Sequence, residues 1–304
     1  MNIAVILTCF NRKEKTLKCL EGLFNSCNSF NISSADKIYL SVYLTDDGST
    51  DGTSSAIFEK FEDKDIHIVQ GDGHCYWAGG MRLAWNATLK SNTEWDFFFL
   101  VNDDAFPFEN CFEEILKTHK YSIEQTGKAG LYSGICYSTN EPKHLTYSGC
   151  VWVNRTTGQM KMLDECGRPQ LCDVTNANLL MVHRSVYERI GIFYDGFIHG
   201  GADHDYSHQA RMSGFPVWVT AKCCGYCDND HVSPEETKRK LLSMTFKQRK
   251  AYFDNPVHSI HDYILGTKRR ASNRWLLVAI GRYMNLYLPH LYYALSDFRL
   301  KKLQ

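Results

Sequence analysis

The sequence predicts an α/β protein in which a mostly parallel sheet is flanked by helices and followed by a C-terminal helical extension. Three observations carry that reading. Short, continuously apolar runs alternate with helix-length amphipathic stretches as far as residue 104, and strands of this kind are buried on both faces, as crossover helices make them. Each run ends in a polar turn, and the last three end in a cluster of Asp, Asn, Gly or Ser. Charge also divides the chain: residues 238–304 hold 14 Lys and Arg against three acids (Asp254, Asp262, Asp297), a balance of +11, while residues 1–237 hold 20 bases and 31 acids, or −11. The break follows the loop-like Asn229-Asp230-His231-Val232-Ser233-Pro234, which places a boundary between residues 234 and 235.

Residues 3–7 are aliphatic and give the first strand; a polar turn over 8–12 leads into a helix with Leu17, Leu20, Leu23 and Phe24 on one face. Residues 38–44 form the second strand, which ends in Thr45-Asp46-Asp47-Gly48-Ser49-Thr50-Asp51-Gly52 and a second helix. The third strand, 66–69, is short and runs into Gly71-Asp72-Gly73. A helix over 81–89 precedes the most apolar strand, 95–101, which stops at Asn102-Asp103-Asp104. Strands alternating with helices imply right-handed crossovers.

Composition excludes several functions. The 304 residues carry 34 Lys and Arg and 34 Asp and Glu, a neutral total that argues against a dedicated nucleic-acid binder. With 44% hydrophobic residues and 7 prolines the chain can bury a large core, as one large domain or two ordinary ones. The uncharged apolar run at 275–281 is seven residues long, against about 20 needed to span a bilayer. The N-terminus lacks a basic n-region and a small-residue cleavage site and reads as a buried strand. Twelve cysteines spread through so long a chain are expected to be reduced and mostly buried, in a cytoplasmic protein.

In a doubly wound sheet the ligand lies off the carboxyl ends of the strands, where strand order reverses. Acids gather at two such ends, Asp46-Asp47 and Asp103-Asp104. Adjacent carboxylates repel unless a cation or donor groups compensate them. Few carboxylates, with water and substrate phosphates completing the shell, is how Mg²⁺ is usually held, and Mn²⁺ accepts similar ligands. An ordinary turn with a helix N-cap also accounts for Asp46-Asp47-Gly48-Ser49; the pair at 103 and 104 is harder to explain by turn propensity. Tyr76 and Trp77 could stack on a sugar or base or simply pack, and the adjacent Gly79-Gly80 would permit close approach of a ligand. Cys224 and Cys227 have a CxxC spacing, but no second pair follows to complete a structural zinc site.

With these residues in place the sequence resembles family 2 glycosyltransferases of the Rossmann-type GT-A fold, enzymes that use nucleotide-diphosphate sugars. Thr8-Cys9-Phe10-Asn11-Arg12 is similar to the family's first-strand exit, Thr45-Asp46-Asp47-Gly48-Ser49-Thr50-Asp51 to its nucleotide-binding signature, and Asn102-Asp103-Asp104 to its DxD motif. Gly71-Asp72-Gly73-His74-Cys75-Tyr76-Trp77-Ala78-Gly79-Gly80-Met81 resembles the donor-side stretch of the rhamnosyltransferase-like branch. His199-Gly200-Gly201-Ala202-Asp203-His204-Asp205-Tyr206-Ser207, then Ala210-Arg211 and Gly214-Phe215-Pro216-Val217-Trp218, resembles the acceptor-side block. Two departures stand out: Asn102 occupies the first DxD position, and Arg82 stands where relatives often carry a small amide.

The resemblance implies a GT-A domain over residues 1–234, with a nucleotide-sugar half at 1–104 and an acceptor half at 105–234, followed by a basic amphipathic helical extension at 235–304. It implies that Asp46 binds the nucleotide base and that Thr8, Phe10, Arg12, Asp47, Gly71, Trp77, Gly79, Gly80 and Asp103 belong to the donor site. Asp104 would reach a divalent metal, Mn²⁺ or Mg²⁺, with His231 as an added metal or phosphate contact, and Asp203 would be the general base of an inverting transfer. Asp205 would bind acceptor hydroxyls or brace its loop. The acceptor would be a glycan or lipid-linked glycan, in surface polysaccharide synthesis.

The basic, aromatic-rich tail (Lys268, Arg269, Arg270, Arg274, then 275–293) suits an anionic surface such as the inner face of the cytoplasmic membrane. A helix packed on the domain or on a second copy in a homodimer has the same pattern. Two rival functions share parts of this sequence. A nucleotidyltransferase would need a glycine-rich basic loop after the first strand, and residues 8–12 contain no glycine. A noncatalytic sugar-nucleotide-binding protein would bind donor without turnover.

Overall fold

The computed structural model describes residues 1–141, 143–155, 158–229, 232–270 and 273–301. The chain divides into two compact units, Met1–Asp195 with Ala202–Asn229, and Gly196–Gly201 with Asp230–Gln304.

The first unit begins with β1 (Asn2–Cys9), α1 (Lys13–Ser33), β2 (Tyr39–Asp46), α2 (Thr53–Lys60), β3 (Ile66–Gln70), α3 (Tyr76–Thr88) and β4 (Phe97–Val101). It continues through β5 (Ala105–Pro107), α4 (Cys111–Thr126), β6 (Leu131–Tyr137), β7 (Leu145–Tyr147), β8 (Cys150–Asn154), β9 (Gln159–Met162), β10 (Gln170–Leu171), β11 (Leu179–His183), α5 (Arg184–Ile190), α6 (Ala202–Met212) and β12 (Val217–Cys227). The expected α/β class is borne out, and the four strands read from the first half all form. The sheet runs β10-β12-β6-β11-β4-β1-β2-β3, with β5 added beside β12 and β7 beside β6. Strands β3, β2, β1 and β4 are parallel, whereas β11 enters antiparallel between β4 and β6.

Burial explains the strand pattern. Every residue of β4 is buried, and so are Ile3, Ala4, Val5, Ile6 and Leu7 of β1, because helices cover both faces. Each such Val, Leu, Ile or Phe side chain contributes about 1.5–3 kcal/mol relative to exposure. α1 buries Cys19, Leu20, Leu23, Phe24, Cys27 and Phe30 on one stripe. Strand β1 pairs with β2 on one edge and β4 on the other, so strand order reverses between β1 and β4 and their outgoing loops share one end of the sheet.

The predicted 81–89 helix begins earlier, at Tyr76. That segment has no apolar periodicity of its own; its first turn is set by a tertiary contact described below. All twelve cysteines are unpaired thiols.

The second unit contains α7 (Pro234–Ser243), α8 (Phe246–Asp254), a single 3₁₀ turn at Pro256–His258, α9 (Ile260–Arg269), α10 (Trp275–Tyr287) and α11 (Pro289–Lys301). Leu241, Phe253, Ile260 and Leu286 form its buried core. Thr245 and Gln248 make a capping box at the start of α8, and the buried Arg249 donates its Nε–H to Leu286 O at 2.9 Å. Among the described residues no helix is long and apolar enough to cross a membrane.

Candidate active site

The site lies in the first unit, off the carboxyl ends of β1, β2 and β4. Cys9 and Asp46 are register partners at the ends of β1 and β2, and Asp47 donates its N–H to Cys9 O at 3.0 Å. Burial raises the Cys9 thiol pKa, and the charges of Asp46 and Asp103 raise it further, so both carboxylates stand near that sulfur.

The two acids after β2 are compensated by donors. Asp46 accepts the Ser49 N–H at 2.8 Å and the Ser54 hydroxyl. Asp47 accepts the N–H groups of Gly73 (2.9 Å), Cys75 (3.2 Å) and Tyr76 (3.0 Å), which pins the residue 71–77 segment and starts α3. Gly71 is demanded by that latch, since a Cβ there would lie 2.5 Å from Asp47 Oδ1. Gly80 is demanded by packing: a Cβ would meet Thr8 Oγ1 at 2.2 Å, so the close approach it permits is of α3 to β1. A Cβ on Gly79 would meet only ordinary contacts, at 3.6 Å from Cys75 and 3.7 Å from Arg82.

The pair after β4 is compensated differently. Arg12, at the β1 exit, places Nη1 3.1 Å from Asp103 Oδ1 and 2.8 Å from Asp104 Oδ2. Burial pushes the Asp103 carboxyl up to about 7, with the Arg12 guanidinium opposing that rise and the Asp104 charge adding to it. Asp103 Oδ2 is buried with no hydrogen-bond partner among the described residues. A buried carboxylate with an orphaned oxygen, beside a second carboxylate, fits a divalent cation. A second acidic group, Asp47, Asp72 and Cys75, also has ligand atoms within 4.8 Å of one another, but Asp47 there already accepts three amide donors.

Both departures from the family pattern have local uses. Asn102 Oδ1 accepts the Trp77 indole N–H at 2.8 Å, and the Trp77 ring packs 5.5 Å from Phe193. Arg82 donates from Nη1 to Tyr194 O at 3.2 Å. Phe10 is half exposed beside the β1 exit, and Asn11, with φ 51°, accepts the Thr50 N–H at 2.7 Å.

Asp203 is the second residue of α6 and half-buried. Its Oδ2 accepts the Ala177 N–H at 3.3 Å and stands 3.5 Å from Asn176 Nδ2, while Oδ1 accepts the His204 N–H at 2.8 Å. Asp205 is buried, 3.5 Å from Gln209 Nε2. The residues that tie Asp203 to the DxD-like pair are Asn176, Ala177 and Asn178, the lead-in to β11. Asn178 O accepts the Asn102 N–H at 3.2 Å, and its Nδ2 reaches Cys227 Sγ at 3.1 Å. That sulfur is in turn 3.7 Å from Asp104 Oδ1. Asp104 and Asp203 therefore border the same short segment. Sequence reasoning missed residues 176–178; their only signal is a pair of asparagines, Asn176 and Asn178, immediately before the apolar Leu179-Leu180-Met181-Val182. His231 lies outside the described residues.

A mostly parallel sheet with acids at its switch point, and a further acid at the start of a helix beyond an antiparallel strand, is a GT-A-like arrangement. The family profile Glycosyl transferase family 2 matches residues 4–176, and the chain belongs to that family. S. aureus TarS 1–349 in complex with UDP is similar in structure, at 12% identity and a TM-score of 0.51, covering 97% of this chain and 87% of that one. The same protein with UDP-GlcNAc gives 12% identity and 0.50, covering 91% and 76%. The mannosyltransferase PcManGT from Pyrobaculum calidifontis, in complex with GDP-Man and Mn2+, gives 16% identity and 0.49, covering 97% and 83%. No curated protein matches the chain.

Proposed function

We propose that the protein is a metal-dependent, inverting enzyme that moves a sugar from a nucleotide-diphosphate donor to a hydroxyl of a glycan or lipid-linked glycan, in surface polysaccharide synthesis. The observation that carries this reading is the convergence of Asp104 and Asp203 on residues 176–178, with Asp46 joined to the same end of the sheet through Cys9. The residue 71–81 stretch supports a rhamnosyltransferase-like branch.

Asp46 keeps lone pairs beyond the Ser49 and Ser54 bonds and can accept an N–H from the nucleotide base. Asp104, backed by Asp103, would hold the divalent ion, which when bound neutralises charge on the departing diphosphate. Arg12, now paired with Asp103 and Asp104, would then be placed to face the donor phosphates. Asp203 takes the proton of the acceptor hydroxyl; the hydroxyl oxygen bonds to the anomeric carbon from the face opposite the diphosphate, the sugar–phosphate C–O bond breaks, and the nucleoside diphosphate leaves with the electron pair. The two amide bonds on Asp203 fix its orientation and leave lone pairs for that proton. The burial of Asp205 favours bracing α6 over contact with acceptor hydroxyls.

Exposed Leu276, Leu277, Ile280, Tyr283 and Tyr287 on α10, with the net positive charge of the tail, support contact with an anionic membrane surface from the cytoplasmic side. The test is nucleotide release from a panel including UDP-GlcNAc and GDP-mannose, with and without Mn²⁺ and with glycan acceptors. Asp203→Asn is expected to abolish transfer while metal-dependent nucleotide binding persists. Retained transfer removes Asp203 as the base, and donor binding without turnover by the unmodified protein favours a noncatalytic sugar-nucleotide binder.

A further inference from the structure

The second unit contains a pocket of about 450 Å³ between the start of α8 and the turn from α10 to α11. Its lining is largely apolar: Phe246 and Tyr287 stack at 5.5 Å, and Leu288 and Leu291 also face it. Each of these four side chains is about half exposed, so the pocket leaves apolar surface in contact with water. Tyr287 also completes the exposed row Leu276, Ile280, Tyr283 along α10, spaced to share one helix face. The lining therefore continues the apolar face of that helix.

One charge sits in this lining. Arg249, on α8, is only 9% exposed and borders the pocket. Its Nε–H is accepted by Leu286 O at 2.9 Å and an Nη1 N–H by Met244 O. Those carbonyls belong to the ends of α10 and α7 and carry no full charge. Among the described residues no carboxylate pairs with the guanidinium, and Nη2 meets no acceptor. A buried charge is costly until an opposite charge joins it. α11 begins at the same pocket, with Pro289, His290 and Leu291 as its first three residues. Pro289 has no N–H, the N–H groups of His290 and Leu291 meet no acceptor among the described residues, and no acid lies in that turn. Such a helix end favours an anion, phosphate above all.

We propose that this pocket binds a phosphate group carried on a hydrocarbon chain, with the phosphate against Arg249 and the first turn of α11 and the chain along Phe246 and Tyr287. A guanidinium and helix amides match phosphate oxygens. Free phosphate would leave the apolar walls in water, and an uncharged chain would leave Arg249 without a counter-charge. The proposal deepens the membrane contact proposed for α10 and rests on it for the source of the ligand, a phosphorylated lipid.

The test is titration calorimetry on the full chain with decyl phosphate, inorganic phosphate and decyl maltoside, each below its micelle-forming concentration. Decyl phosphate is expected to bind at least about tenfold tighter than either of the others. His290→Glu puts a carboxylate where the helix dipole favours one, so the fold is kept while the pocket repels anions, and decyl phosphate binding should weaken about tenfold or more. Arg249→Gln should do the same if circular dichroism shows it folded; if it unfolds, His290→Glu decides. Unchanged affinity in His290→Glu overturns the proposal. So does equal affinity for inorganic phosphate, which makes the pocket a free-phosphate site, or for decyl maltoside, which makes it merely apolar. Flotation with phosphatidylcholine vesicles, with and without phosphatidylglycerol, tests the membrane contact separately. Flotation without decyl phosphate binding overturns the pocket and keeps the contact; decyl phosphate binding without flotation keeps the pocket and removes the membrane as its source of ligand.

Discussion

The Asp47 carboxylate offers a test that separates a nucleotide ligand from a structural latch. Replacing it with alanine strips three amide donors, Gly73, Cys75 and Tyr76, of their acceptor. Hydrogen bonds to a charged group are worth about 1.5–3 kcal/mol each. The donor residues are half-buried, so water recovers part of that, and the expected net loss for Asp47→Ala is about 2–3 kcal/mol. Asp47→Asn keeps one oxygen and turns an NH₂ toward the remaining donor, for a loss of about 1–1.5 kcal/mol. Urea denaturation gives the stabilities, and hydrogen exchange over residues 71–77 locates the change. A residue that only touches the nucleotide would change UDP or GDP binding and leave stability within about 0.5 kcal/mol, the range for sites without structural partners. That result would refute the latch.

Gly80→Ala drives a Cβ to 2.2 Å from Thr8 Oγ1 and 2.8 Å from Thr8 Cβ, and the overpacking should cost about 1–3 kcal/mol in urea, partly recovered by Thr8→Ala. His119 has its pKa lowered to about 4 by burial, then by His183 and Lys120. The unfolded state thus binds the extra proton as pH falls, and stability present above about 6.5 is lost toward pH 4. The His119→Gln variant should flatten that limb of a pH–stability curve, and an unchanged slope assigns the loss elsewhere. Arg12→Gln should lower the thermal midpoint in chelator and gain more from Mn²⁺ than the unmodified protein does, because the ion then compensates Asp103 and Asp104; equal gains would place the cation elsewhere.

The first half of the fold was legible because each strand there is a continuous apolar run with a polar stop, and parallel strands covered by helices must be written that way. From β5 onward six of the strands have only two to five residues, and the two long ones, β6 and β12, carry Gly, Ser, Thr, Lys and Cys among their apolar residues and so lack a continuous apolar run. The insertion of β11 antiparallel between β4 and β6 depends on pairing across distant sequence, which no local pattern encodes. Asp46, Asp103, Asp104 and Asp203 stood out because acids cluster at strand and helix ends. Asn178 and Cys227 did not, since a polar residue before a strand and a thiol at its end are ordinary in sequence and acquire meaning only when Asn178 Nδ2 meets Cys227 Sγ beside Asp104. The membership of residues 196–201 in the second unit is equally invisible, because Asp262, whose carboxylate accepts their amides, lies 62 to 64 residues away.

What compensates each acid also argues for what each can do. Asp47 and Asp203 are held by backbone amides, and Asp46 by an amide and a hydroxyl; such dipoles are fixed by the fold and stay with the carboxylate whatever binds. Asp103 and Asp104 are held by the guanidinium of Arg12, a half-exposed side chain with several rotatable bonds. Only a compensator of the second kind can move aside and let a different cation take its place. The orphaned Asp103 oxygen points the same way, because a carboxylate whose pKa burial lifts to about 7 is stabilised as an anion when more positive charge arrives. A divalent ion with its donor diphosphate brings both the charge and, in the phosphate, a new partner for Arg12. The proposed exchange therefore suits Asp103 and Asp104 better than Asp47 and Asp72, where a cation would compete with amide bonds that hold the start of α3.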